Sequence, residues 1–280
     1  MRGGEVRSLA ERYGIHPDKA LGQNFLCDPN LARRIVVEAG VGPGDRVLEI
    51  GAGLGSLTVP LAATGARVLA LEFDRRLVPA LEEAVSPWPG VEIVATDAMH
   101  ADWGHLLSAD APAPATWSMV SNLPYNIATT LVLGMLEHGL PIASYLVMVQ
   151  REVGERLAAA PGSDAYGAVS VHVAYLAEAS SVRRVPATVF WPEPSVESVV
   201  VRLVPRSEPP VAIDPSHLFR VVDEGFAQRR KTMRNALRRL GLAAAEADAA
   251  LTAAGIAADA RAETLSLDEF ARLAEEVPAA

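Results

Sequence analysis

Cysteine, basic residues, aromatics and long apolar runs are all scarce in this sequence, and each shortage excludes something. A single cysteine, Cys27, rules out an intrachain disulfide. No histidine or metal-like cluster lies beside it, so the thiol reads as a small, partly buried side chain. The six histidines lack metal-ligand spacing, and no metal site is expected. No apolar run approaches the ~18 residues of a membrane span. The opening stretch, MRGGEVRSLAERYG, lacks the apolar core of a secretory signal. A soluble, cytoplasmic protein without a membrane partner is expected. Lys and Arg number 25 against 34 Asp and Glu, a net charge of −9. Taken over the whole chain, that balance argues against a nucleic-acid partner.

Charge is segregated, however. RRKTMRNALRRL, Arg229 to Leu240, carries six basic residues and no acidic one. A local basic stripe attracts phosphate within a Debye length of about 10 Å whatever the net charge. Arg230, Arg234 and Arg238 follow i, i+4 spacing, which places them on one face of a helix.

The chain is long enough, at 280 residues and 50% hydrophobic, for one large domain and a smaller one. Short apolar segments at 46–50, 66–71, 91–95, 117–121, 144–150, 170–178 and 198–205 read as strands. Helices lie between the early ones. Asp28 is placed to N-cap a helix with Pro29 at its first position and Gly40 just past its end. Further helices close at Gly65 and Gly139. This alternation predicts an α/β fold: a parallel sheet with helices on both faces. The last two strands lack a long helix between them, which predicts an antiparallel addition at one edge. PRSEPPVAIDPS (205–216) reads as a linker, so residues 1–205 and 206–280 are expected to form separate domains. The second is helical in pattern. Phe226, Met233, Leu237 and Leu240 supply a small core, and Ser266 with Glu269 forms a capping box.

Chemistry concentrates at the strand ends. VLEIGAGLGSLT (47–58) is a strand, a glycine turn and a helix start; Gly51 and Gly53 permit positive φ and close approach of a ligand to the backbone. Glu72, about twenty residues on, ends the next strand and is placed to accept ribose hydroxyls. Asp97 ends a third strand, where an acid accepts from an adenine amino group. NLPYNI (122–127) follows the fourth strand and offers an amide, a main-chain carbonyl before a proline, and an aromatic face. Singly, an acid at a strand tip is as readily a helix cap, and an aromatic is more often core. The ordered series Gly51, Glu72, Asp97, Asn122 on successive strand tips is hard to obtain by accident. A nicotinamide enzyme would use the glycine turn and the acid, but it would need a hydride-directing pair that is absent here. S-adenosyl-L-methionine, a nucleoside without a pyrophosphate, fits better.

The motifs LGQNFL (21–26), LEIGAGLGSLT, LEFD, TDAM, NLPYNI, VQREVGERL (149–157), VFWPEPSVESVVVRL (189–203), FAQRRKTMRNAL (226–237) and RAETLSLDEF (261–270) span nearly the whole chain. Their order resembles that of the ribosomal RNA adenine N6-dimethyltransferases, most closely the bacterial small-subunit branch. One departure is Ala52, where the family usually has proline between the glycines.

The resemblance implies a Rossmann-like class I methyltransferase sheet with a small helical C-terminal domain. It implies S-adenosyl-L-methionine as cofactor, held by Gln23, Asn24, Leu26, Gly51, Gly53, Glu72, Asp97 and Asn122. Asn122 and the Leu123 carbonyl would accept from the adenine amino group, Pro124 would fix the turn, and Tyr125 and Phe190 would close on the two faces of the base. Arg229, Arg230, Lys231, Arg234 and Arg238 would face RNA. The implied partner is 16S ribosomal RNA in the assembling 30S subunit. No large apolar surface segment suggests an obligate dimer, and a monomer is expected. A 23S ribosomal RNA methyltransferase of the macrolide-resistance type and a mainly non-catalytic assembly factor are the alternatives.

Overall fold

The computed structural model describes residues 1–108, 116–228 and 230–279. Its elements run in the order α1 (Gly3–Arg12), β1 (Phe25–Leu26), α2 (Pro29–Ala39), β2 (Arg46–Ile50), α3 (Thr58–Ala62), β3 (Arg67–Glu72), α4 (Val78–Val85), β4 (Val91–Ala95), α5 (Trp103–Ser108), β5 (Trp117–Asn122), α6 (Ala128–Glu137), β6 (Ile142–Gln150), α7 (Arg151–Leu157), α8 (Ala168–Leu176), β7 (Ala177–Val185), β8 (Phe190–Trp191), β9 (Ser198–Pro205), α9 (Pro215–Phe226), α10 (Met233–Arg239), α11 (Ala244–Ala253) and α12 (Leu267–Glu275). Among the described residues no helix is long and apolar enough to cross a membrane.

The chain divides into two compact units, Met1–Gly154 with Ser180–Pro205, and Glu155–Ala179 with Arg206–Ala280. The break at 205/206 coincides with the expected boundary. Residues 155–179, which that division assigned to the first domain, group with the second unit.

In the first unit, strands run in the order β4-β3-β2-β5-β6-β9-β7. β4 through β6 are parallel, and β9 pairs antiparallel with β6, Gln150 opposite Ser198. From β2 the chain moves outward through β3 and β4, then returns to place β5 on the other side of β2. The carboxyl ends of β2 and β5 therefore flank the switch point where open α/β sheets bind ligands. The strands part there. β2–β5 pairing extends to Leu48–Met119, and the Ile50 N–H then donates to the Ser121 hydroxyl at 2.9 Å. Strand tips otherwise follow the sequence closely because both faces are buried: Leu48, Leu69, Met119, Val147 and Val200 are all almost inaccessible. Each such side chain contributes roughly 1.5–3 kcal/mol. α2 forms as its caps dictate, with Asp28 accepting from the Asn30 and Leu31 N–H groups and Gly40 in the left-handed region at φ 70°. Helix α7 seats on β9 through Gly154, where a Cβ would lie 2.1 Å from Val199 Cγ1, so Gly154→Ala would force the two apart.

One expected strand is absent. Residues 170–176 lie in helix α8, and residues 177–178 begin the strand that follows, β7. The alternation Val171, Val173, Tyr175 suits a strand, but Val171 and Tyr175 also lie one helical turn apart. They pack with Leu218, Val221 and Met233 in the core of the second unit. The Ser170 hydroxyl starts the helix locally, accepting from Gly167 N–H at 3.1 Å and donating to the Arg156 carbonyl at 2.7 Å. β7 does lie at the sheet edge with β9, so the edge addition is present with different residues.

The second unit is helical around Leu218, Val222, Met233, Leu237, Phe270 and Leu273. Ser266 caps α12 and Glu269 returns the bond to Ser266 N–H at 2.8 Å.

Candidate active site

One cavity of about 440 Å³ opens at the carboxyl ends of β2, β3, β4 and β5. Its lining includes Gln23, Asn24, Leu26, Gly51, Gly53, Glu72, Asp97, Asn122, Leu123, Pro124 and Tyr125. The tertiary fold thus brings every expected cofactor and acceptor residue to one place except Phe190. That ring is buried, opposite Leu26 in the β1–β8 pair, within the core cluster that includes Leu31 and Val36. The ring packs in the core and does not line the cavity.

The glycine turn is shaped by its neighbours. Gly51 has φ 75°, and a Cβ there would lie 3.2 Å from Pro124 Cδ. Gly53 has φ 59°, and a Cβ would lie 3.1 Å from the Phe25 ring. Both positions line the cavity, and both need a residue without a Cβ. Glu72 bridges the turn to its own strand tip, Oε2 accepting from Gly53 N–H and Oε1 from Asp74 N–H, both at 2.8 Å. Burial raises its pKa, and the two N–H donors oppose the rise.

Asp74 was not among the expected site residues, although it ends the LEFD motif. It is held down to about 2, chiefly by the Arg76 guanidinium, and it accepts from Gln23 Nε2 at 2.8 Å. Gln23 Oε1 in turn accepts from Asp18 N–H, so the 18–24 loop is latched to the tip of β3. Asp97 is lowered by His100, whose Nδ1 lies 2.9 Å from Oδ2, and accepts from Met99 N–H. Glu49, on β2, was also missed because it read only as part of a buried strand. Burial pushes it up to about 8. Its Oε2, with Ser56 Oγ and Thr58 Oγ1, is buried without a hydrogen-bond partner.

The acceptor loop leaves β5 with Leu123 N–H still bonded to the Met148 carbonyl at 3.0 Å. Asn122 Nδ2 donates to the Asn24 carbonyl at 3.3 Å. That bond sets the orientation of the amide. Its Oδ1 is buried and has no partner, a condition that costs about 1–3 kcal/mol in a folded protein. Tyr125 is half-buried, and burial raises its phenol, which is protonated at neutral pH.

The electrostatics select among nucleotides. Glu49, Glu72, Asp74 and Asp97 line the cavity, and among the described residues no Lys or Arg does. A pyrophosphate would find several acids and no Lys or Arg among the described lining residues. A nucleoside carrying a sulfonium and an ammonium suits the same donor set.

A family model described as ribosomal RNA adenine dimethylase matches residues 16–278. The chain belongs to this family. Ribosomal RNA small subunit methyltransferase A of Moorella thermoacetica is 44% identical over 276 residues, covering 96% of each chain. The protein of that name from Streptomyces coelicolor is 45% identical, covering 97% of this chain and 94% of its own. Among solved structures, the 23S rRNA methyltransferase ErmE superposes with TM-score 0.68 at 27% identity, over 91% of this chain and 99% of its own. A dimethyladenosine transferase from Plasmodium falciparum shares the fold at TM-score 0.73 and 22% identity, over 89% and 95%.

As a ribosomal RNA adenine dimethylase, the protein is a methyltransferase whose fold is the class I, Rossmann-like sheet. Its methyl donor is S-adenosyl-L-methionine, which supplies an electrophilic methyl group on a sulfonium. The open acceptors and acidic lining fit that molecule.

The basic stripe is less uniform than its spacing suggests. Helix α10 begins only at Met233, so Arg230 and Lys231 precede it and do not share a helical face with Arg234 and Arg238. Arg234 is held by both oxygens of Asp248, at 2.5 and 2.7 Å, and Arg239 by Glu224. No acid near the stripe in sequence did not mean no acid near it in space. Lys231, Asn235 and Arg238 line a shallow cleft on this unit. Arg229 lies outside the described residues.

Proposed function

We propose that the protein dimethylates N6 of two adjacent adenosines near the 3′ end of 16S ribosomal RNA, in the assembling 30S subunit. It acts as a monomer in the cytoplasm. The small-subunit relatives at 44–45% identity, against 27% for the 23S enzyme, favour this substrate.

The observation that carries the mechanism is the partnerless Oδ1 of Asn122. An adenine amino nitrogen is a poor nucleophile because its lone pair is delocalised into the ring. Two acceptors drawing on its two hydrogens favour the tetrahedral nitrogen that attacks. Asn122 Oδ1 and the Leu123 carbonyl are those acceptors, with Pro124 holding the turn and Tyr125 stacking on the base. Gln23, Asn24, Leu26, Gly51, Gly53, Glu72 and Asp97 hold the cofactor. The C-terminal residues 206–280 bind RNA, with Arg230, Lys231 and Arg238 as phosphate contacts; Arg234 serves structure instead, through Asp248.

The test is transfer from radiolabelled S-adenosyl-L-methionine, with under-methylated 30S subunits, 50S subunits, and naked 16S and 23S RNA offered in parallel, followed by digestion to nucleosides. Label in N6,N6-dimethyladenosine from the 30S sample is expected. Label confined to 23S RNA would move the assignment to the other subunit.

A further inference from the structure

We infer that Ser198, on the antiparallel strand β9, is a positioning residue that fixes the direction in which the Tyr125 ring projects. The inference rests on the reading of Tyr125 as the residue that stacks on the target adenine.

The Tyr125 hydroxyl lies 2.9 Å from Ser198 Oγ. Ser198 is fully buried and heads a run of buried apolar residues, Val199 to Val201. A hydroxyl in that setting is costly without a partner. The bond to Tyr125 supplies one, and either oxygen is able to donate.

The geometry makes this contact more than local satisfaction. Tyr125 sits on a loop, so the direction of its ring is free unless something fixes its far end. Pro124, just before it, has a fixed φ, and Gly22 is in ordinary contact range of the Tyr125 backbone N–H, since a Cβ there would be 3.4 Å from Tyr125 N. The phenol oxygen is then tied to a strand whose own position is over-determined. Ser198 is in register with Gln150 of β6, the Arg151 N–H donates to the Glu197 carbonyl at 2.9 Å, and the Arg151 and Glu197 side chains pair at 3.3 Å. The ring axis is held at both ends, and its direction is set by the sheet. Stacking depends on that direction, because a ring that swings away loses overlap with the base. The strand that departs from the parallel pattern thus has a use at the site, although Ser198 does not line the cavity.

Four variants test this: Tyr125→Ala, Tyr125→Phe, Ser198→Ala, and Tyr125→Phe combined with Ser198→Ala. Each is assayed for kcat on ribosomal RNA, for S-adenosyl-L-methionine affinity, and for thermal unfolding. Tyr125→Phe and Ser198→Ala are each expected to lower kcat about 5- to 10-fold. Cofactor affinity should stay within about twofold, and the double variant should be no slower than the slower single one. A role in folding alone would move the melting temperature and leave kcat unchanged. If Tyr125→Ala costs more than about tenfold while Ser198→Ala costs nothing, the inference falls and the stacking reading stands. If Tyr125→Ala costs nothing, the stacking reading falls and takes this inference with it. Losses that multiply in the double variant would also overturn it. Should Ser198→Ala fail to fold, Tyr125→Phe breaks the same bond from the loop side and decides the matter by its own kcat.

Discussion

Replacing Asn122 by alanine separates catalysis from stability, because the structure sets two opposing terms against each other. The substitution removes the bond from Nδ2 to the Asn24 carbonyl, which at 3.3 Å is long and neutral and worth about 0.5–1 kcal/mol net. It also removes Oδ1, a buried acceptor with no partner, whose desolvation costs about 1–3 kcal/mol. The second term is the larger, so unfolding free energy should change by between about 0 and 2.5 kcal/mol in the direction of a gain. For a chain of this size the melting temperature then rises by no more than about 10 °C. Activity behaves differently. Losing one preorganised group that acts on the reacting atom costs about 2.7–4 kcal/mol, a factor of roughly 10² to 10³ in kcat. The assay is methyl transfer to ribosomal RNA at saturating cofactor, with cofactor affinity measured by calorimetry on the same samples. Turnover within about threefold of the unsubstituted protein would refute the reasoning. So would a fall in cofactor affinity large enough to account for the lost rate.

Asp74 is depressed from 3.8 to about 2, so its contribution is present above pH ~4 and disappears as pH falls through about 2. A shift of that size corresponds to about 2.5 kcal/mol, less in practice because Arg76 is largely exposed; urea unfolding of Asp74→Ala should show a deficit constant from pH 7 to 4 and shrinking below. Glu49 is raised from 4.5 to about 8, so the folded state loses stability as pH rises through that window. Glu49→Gln should therefore gain on the unsubstituted protein between pH 5 and 8 in the same assay, and a flat difference would contradict a buried neutral carboxyl. Lys231→Ala and Arg238→Ala should each weaken RNA binding and reduce the salt slope by about one. Arg234→Ala, whose partner Asp248 is half exposed, should instead change stability only slightly and leave the salt slope unchanged.

Local chemistry carried most of the fold in the sequence. β2, β4 and β9 begin and end where their apolar runs do; β2 and β9 lie inside the sheet and are mostly buried, while β4, at its edge, is only partly buried. Asp28, Gly40 and Ser266 cap where their side chains or missing Cβ allow. The same ordering of strand tips made the cofactor residues legible, because an alternating parallel sheet sends all its carboxyl ends to one edge.

What only the tertiary structure decided was which partners non-local side chains would find. Val171 and Tyr175 became helical because a helical core was there to receive them. Phe190 was drawn into the core opposite Leu26, and Arg234 was claimed by Asp248, fourteen residues away in sequence. The orphaned oxygen of Asn122 and the tie from Tyr125 to Ser198 likewise depend on chain segments 98 and 73 residues apart. Spacing in a sequence reports periodicity along one element. Hydrogen bonds and burial are settled by whatever the fold brings within about 3 Å, and that is a property of the packed molecule.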